Sequence, residues 1–124
     1  MRLTKNFSSG EFDCKDGTPV PEIFLSNLKE LANNLQVLRD FLKKPITITG
    51  SGYRTPSHNK NVGGAPKSQH LTASAADINA TDMTPKELGS VIDKLIANGS
   101  MKEGGLGIYK QFVHYDIRGK KSRW

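Results

Sequence analysis

Residues 68–79 read Ser68-Gln69-His70-Leu71-Thr72-Ala73-Ser74-Ala75-Ala76-Asp77-Ile78-Asn79. The run Ala75–Asn79 is short and bounded by small polar residues, and it reads as a strand carrying Asp77. His70 stands just before it, at the end of a stretch from Gly50 to Gln69 that is rich in Gly, Pro, Ser and Asn. That stretch reads as one long loop, and a long loop inside a small domain usually serves function. The small side chains of Ala73, Ser74, Ala75 and Ala76 let backbone pass close to whatever His70 and Asp77 hold.

Working outward, Ile46-Thr47-Ile48-Thr49 alternates apolar and polar β-branched residues and predicts a second strand. On the other side, Thr84-Pro85-Lys86-Glu87 is a helix start: Thr84 caps, Pro85 takes the first position and Glu87 closes a capping box. Leu88, Val91, Ile92, Leu95 and Ile96 then share one side, and Gly99 ends the helix. Residues 105–109 and 112–116 predict a hairpin across Lys110-Gln111. Upstream, Leu28, Leu31, Leu35, Leu38 and Leu42 recur at three and four spacings, predicting a helix that opens at Pro21 and ends before Pro45. Residues 1–20 read as an irregular N-terminal arm pinned by Phe7 and Phe12. The expected fold class is therefore α+β, a small antiparallel sheet packed with helices, in one domain spanning residues 1–124.

Composition narrows the function classes. A chain of 124 residues supports one core but not comfortably two. No apolar run is long enough to span a bilayer. Residues 1–7 carry charge without an apolar stretch behind it, so no secretory signal is expected. A protein made in the cytoplasm and acting outside it would need lysis, a holin or a secretion machine. The single cysteine, Cys14, forms no internal disulfide and reads as a buried small hydrophobe. The net charge of +6 suits a polyanionic partner, nucleic acid or an anionic wall. No recognition helix or RNA-binding pattern accompanies it, so nucleic acid is not the expected partner. The basic tail Arg118–Arg123 reads as a solvated end, and a monomer is expected.

The chemistry lies in three residues. His114, within Phe112-Val113-His114-Tyr115-Asp116, adds a second imidazole to His70 and Asp77. His114 and Asp116 are two apart on a strand and share a face. If that strand neighbours the one bearing Asp77, a site of two histidines and one carboxylate forms. That is the donor set of a catalytic zinc with its fourth position open, and imidazole favours zinc over calcium or magnesium. Spacing alone recurs by chance, so the flanking residues matter.

Those flanks are Ser51-Gly52-Tyr53-Arg54-Thr55-Pro56, Asn59, Val62-Gly63-Gly64-Ala65, Ser68-x-His70 with Ala75-x-Asp77, and His114-x-Asp116-x-Arg118. In this order they resemble the zinc D-Ala-D-Ala carboxypeptidase family, which includes D-Ala-D-Ala dipeptidases, phage endolysins and the hedgehog signalling domain. The likeness is to the small single-domain branch of bacteria and phages, and it runs from the Asn6-Phe7 arm to Trp124. The resemblance implies a hedgehog/DD-peptidase-like fold and one zinc per chain, held by His70, Asp77 and His114. It implies that Arg54 reaches into the site to hold a substrate carbonyl or carboxylate. Ser68 and Gln69 would orient the loop or the substrate peptide, and Tyr53 would line the cleft or belong to the core. His58 is expected on the loop and not as a ligand.

Two positions depart from the family pattern Ser-x-His-x-x-Gly-x-Ala-x-Asp and its surroundings. Ala73 replaces the glycine, which is tolerable unless the backbone there has positive φ. Many relatives carry an acidic general base three residues before the last ligand, where this chain has Gln111. Asp116 is the nearest carboxylate in sequence, either as that base or as a hydrogen-bonding orienter of a ligand. The leading expectation is a zinc peptidase acting on peptidoglycan stem peptides. The alternative is a non-catalytic, metal-containing wall-binding or phage structural module.

Overall fold

In the computed structural model, which describes all residues from Met1 to Trp124, the leucine stripe forms α1, Leu25–Leu42. Leu28, Leu31, Leu35 and Leu38 are fully buried along it. The helix opens later than expected. Pro21 is extended, and its carbonyl accepts from the Phe24 amide at 3.0 Å, closing a 3₁₀ turn over Glu22–Phe24. Lys43 ends α1 in the left-handed region at φ 55°.

β1 (Ile46–Ile48) follows the alternation seen in sequence, and β2 (Ala75–Ala80) is the short strand expected around Asp77, buried on both faces. The intervening loop holds an unexpected helix, α2, Pro56–Asn61. Its start signal was present: the Thr55 hydroxyl accepts from the His58 amide at 3.2 Å, and Pro56 sits in the first turn. Its six residues are too few and too polar to show an apolar period. α3 spans Pro85–Ala97 with the expected Thr84–Glu87 capping box. The hairpin strands are β3, Gly105–Ile108, and β4, Val113–Asp116, each one residue shorter at the turn than expected.

The sheet order is β1-β2-β4-β3-β5. The first four strands pair antiparallel, as expected. The two-residue β5, Ser122–Arg123, pairs parallel with β3 and makes the sheet mixed; a pair of residues carries no periodicity to announce it. Alternation then separates two faces. Ala76, Ile78, Leu106, Val113 and Tyr115 enter the core with α1 and α3. Asp77, His114 and Asp116 take the opposite face, with Asp77 directly across from His114. That face is also covered, because residues 49–54 run back along β2: Asp77 N donates to Ser51 O at 2.8 Å, and Arg54 N to His70 O at 3.0 Å. The N-terminal arm closes over this segment. Phe7 and Phe12 are buried, and Phe12 O accepts from Tyr53 N at 2.7 Å. The arm is less irregular than expected, since Ser9–Phe12 forms a capped 3₁₀ turn. No helix is long and apolar enough to cross a membrane.

Candidate metal centre

His70 arrives on a 3₁₀ turn, Gln69–Thr72, whose start is capped by the Ser68 hydroxyl accepting from His70 N at 3.2 Å. The turn ends at Ala73, in the left-handed region at φ 57° and ψ 32°. The departure from glycine therefore falls where glycine is favoured, and the chain carries the strain of a Cβ there. The turn brings His70 beside Asp77, and the β2–β4 register brings His114 to the same carboxylate. His70 Nε2 and His114 Nδ1 each lie 3.4 Å from Asp77 Oδ1.

The other ring nitrogens decide what those atoms offer. His70 Nδ1 meets the Gly52 carbonyl at 2.7 Å, and His114 Nε2 meets Asp116 Oδ2 at 2.7 Å. Each of these partners is an acceptor, so each ring places its N–H there. In the neutral rings, His70 Nε2 and His114 Nδ1 are then lone pairs, converging with a carboxylate oxygen. Three acceptors within 4.8 Å of one another call for a cation between them. Ligands about 2.0–2.1 Å from a tetrahedral zinc stand about 3.3–3.4 Å apart, which the two 3.4 Å separations match. The donor set fits zinc.

Burial pushes the Asp77 carboxyl up, but the His114 and His70 rings, which when protonated turn positive N–H groups toward it from the positions the ion would face, outweigh burial and bring the group down to about 2. Burial pushes His114 down, and the bonds to Asp116 and Asp77 reverse this and raise it. Asp116 is fully buried behind His114 and is saturated. Its Oδ1 accepts from Gly105 N at 2.8 Å, Arg118 N at 3.1 Å and Arg118 Nε at 2.9 Å. Its Oδ2 accepts from His114 Nε2 and Arg118 Nη2, both at 2.7 Å. Burial opposes this charge, yet those bonds hold the carboxyl far below its ordinary range.

The three ligand candidates open into a cleft of about 430 Å³ whose wall includes Arg54, Ser68, Gln69, Phe112 and Trp124. Arg54 is aimed by three neighbours: Nε donates to Ser51 Oγ at 3.0 Å, Nη1 to Asn59 Oδ1 at 3.1 Å, and Nη2 lies 3.6 Å from Asp77 Oδ2. Asn59 in turn donates to Ala65 O at 2.9 Å. A Cβ on Gly64 would strike Asn59 Oδ1 and come within 2.8 Å of Arg54 Nη1, so this glycine makes room for the clamp. Tyr53 is not in the cleft: its ring is buried in the core, 6.1 Å from Phe24, because its amide is tied to the arm. Gln111 sits exposed in the β3–β4 turn and lines no part of the cleft.

The sequence reading missed the aromatic rim. Tyr109 and Phe112 stack at 4.6 Å, Trp124 Nε1 donates to Tyr109 Oη at 2.6 Å, and the Trp124 ring lies 5.0 Å from that of His114. Arg118, taken as part of a solvated tail, instead braces Asp116 and lies under Trp124, 5.5 Å from the ring centroid.

A family model described as Peptidase M15 matches residues 4–116, a span that contains His70, Asp77, His114 and Arg54. No curated protein matches the chain.

Proposed function

The chain belongs to the peptidase M15 family, and from that premise we propose that it is a zinc peptidase that cleaves peptidoglycan stem peptides as a D,D-carboxypeptidase or an endolysin-type endopeptidase. The observation that carries the reading is the convergence of His70 Nε2, Asp77 Oδ1 and His114 Nδ1 at one wall of the cleft.

His70, Asp77 and His114 hold the ion. Zinc, when bound, supplies Lewis acidity and a water acidified toward neutral pH. Arg54, fixed from two sides and 3.6 Å from Asp77, receives the carbonyl or carboxylate of the peptide and balances negative charge that develops on it. Ser68 shapes the His70 turn, and Gln69 contacts the peptide backbone. Asp116 orients His114 and fixes its tautomer. It does not take up the proton of the attacking water, because all its accepting directions are used and no face reaches the cleft. The basic balance of the chain favours an anionic wall.

The absence of an acid at Gln111 favours a second reading, a wall-binding or phage structural module that keeps its metal without turnover. Mass spectrometry of muropeptides incubated with zinc-loaded protein separates the two. The peptidase reading expects a new amino terminus in the stem peptide or a lost terminal residue. Zinc-loaded protein that co-sediments with walls and releases nothing supports the module.

A further inference from the structure

Cys14, Asp16 and His58 form a second cluster, gathered around Thr55. One ligand atom from each lies within 4.8 Å of the others. We propose that the Cys14 thiolate, the Asp16 carboxylate and a ring nitrogen of His58 form a second, structural zinc site that clamps the N-terminal arm to α2.

Three observations bear on it. First, the donors are of the kinds zinc takes: a sulfur, an imidazole and a carboxylate. Second, the Cys14 side chain is buried to 3% exposure, and its thiol faces the cluster itself: it donates toward the Asp16 carboxylate and lies 4.0 Å from the Thr55 hydroxyl, so an ion would take the place of the thiol proton between sulfur and carboxylate. Third, the carboxylate is already positioned. Asp16 Oδ1 accepts from Thr18 N at 2.9 Å and Oδ2 from the Thr55 hydroxyl at 2.9 Å. Thr55 also caps α2 by accepting from the His58 amide, so one threonine joins all three ligand-bearing positions.

Zinc with a sulfur at about 2.3 Å and nitrogen or oxygen at about 2.0–2.2 Å holds its ligands about 3.3–3.6 Å apart. The cluster's ligand atoms lie within 4.8 Å of one another, so they draw together to close on the ion. His58 is half-buried, and its ring supplies that adjustment while Asp16 stays on Thr18 and Thr55. The consequence reaches the cleft. His58 precedes Asn59, whose side chain grips Arg54 and Ala65, so an ion here braces the residue that receives substrate.

Cobalt(II) titration of chelator-stripped, thiol-reduced protein tests the site. Because the chain has one cysteine, a near-ultraviolet sulfur-to-cobalt charge-transfer band reports Cys14 alone, and the His70 centre, which has only nitrogen and oxygen donors, contributes none. The proposal expects this band to saturate at one cobalt per chain, within a total uptake of two. Cys14→Ser abolishes it and keeps the weaker visible bands of the His70 centre. His58→Ala and Asp16→Asn, both at accessible positions, each raise the cobalt concentration for half-saturation of the band by roughly tenfold or more, since even outer partners of a ligand are worth about 10–100-fold. Absence of the band with two equivalents of cobalt present overturns the site. So does a band of unchanged affinity in His58→Ala and Asp16→Asn, which would mark cobalt on a bare thiol. A negative result here leaves the His70 centre untouched.

Discussion

Replacing Asp116 by Asn distinguishes a carboxylate that orients His114 from one that accepts the proton of water. The carboxylate is fully buried and receives five hydrogen bonds, two of them at 2.7 Å from His114 Nε2 and Arg118 Nη2. An amide of the same shape must turn its NH₂ group toward one of two sets of donors. One set is His114 and Arg118 Nη2; the other is Gly105 N, Arg118 N and Arg118 Nε. Either way, donor faces donor and the Arg118 charge loses its counterion. Breaking a buried pair from one side costs about 3–5 kcal/mol, a large share of the roughly 5–15 kcal/mol that holds a domain folded. Losing the carboxylate behind a ligating imidazole lowers metal affinity about 10–100-fold. Urea unfolding of the metal-free variant and competition titration of zinc read the two effects separately. Asp116→Asn is expected to lose stability and zinc affinity together. A variant as stable as the parent, with unchanged zinc affinity but lost cleavage, would refute the orienting role and make Asp116 the base.

Three further expectations follow from particular contacts. Gly64→Ala pushes a methyl into Asn59 and Arg54. Because a 1 Å misplacement can cost about 100-fold in rate, kcat/KM should fall by about that factor while zinc content stays unchanged; unaltered kinetics would remove Arg54 from substrate handling. At Ala73, relief of about 1–2 kcal/mol of left-handed strain is set against about 0.8 kcal/mol for a buried methyl and about 0.4–1 kcal/mol of unfolded-chain entropy. Ala73→Gly should therefore shift unfolding free energy by less than about 1 kcal/mol, whereas Ala73→Val, β-branched at φ 57°, should destabilise clearly; equal stability of the valine variant would contradict the assigned backbone. Without zinc, the raised His114 contributes stability fully below its ordinary 6.5 and loses it as pH rises through the raised value. Asp77, lowered from 3.8 to about 2, contributes above 3.8 and loses its share as pH falls through about 2. The urea midpoint in chelator should thus peak between those limits, and a midpoint that climbs steadily above pH 6.5 would contradict the pairing.

The main elements were legible because they obey short-range rules. Leucines at helical spacing gave α1, a capping box gave α3, and two-residue periodicity put His114 and Asp116 on one face. The β2–β4 pairing that carries His114 to Asp77 was a condition in the sequence and a fact in the fold. What stayed hidden depends on distant partners. α2 and β5 are too short for periodicity. The orienting place of Asp116 arises from Gly105 and Arg118, whose approach no spacing rule encodes. Trp124 reaches His114 only because Gly107 lacks a side chain, since a Cβ there would lie 2.5 Å from the indole. Cys14 is buried in the core, as a small hydrophobe is expected to be, and the approach of Asp16 and His58 to it follows from contacts across the fold that no spacing rule encodes.

The central claim is that three converging lone pairs hold the zinc that cleaves the peptide. It is tested most directly by measuring zinc content and muropeptide cleavage on the same samples of parent, His70→Ala and His114→Ala protein. Each variant should lose one zinc equivalent and all cleavage while keeping the parent's circular dichroism. Full cleavage by either variant after loss of that equivalent would contradict the account.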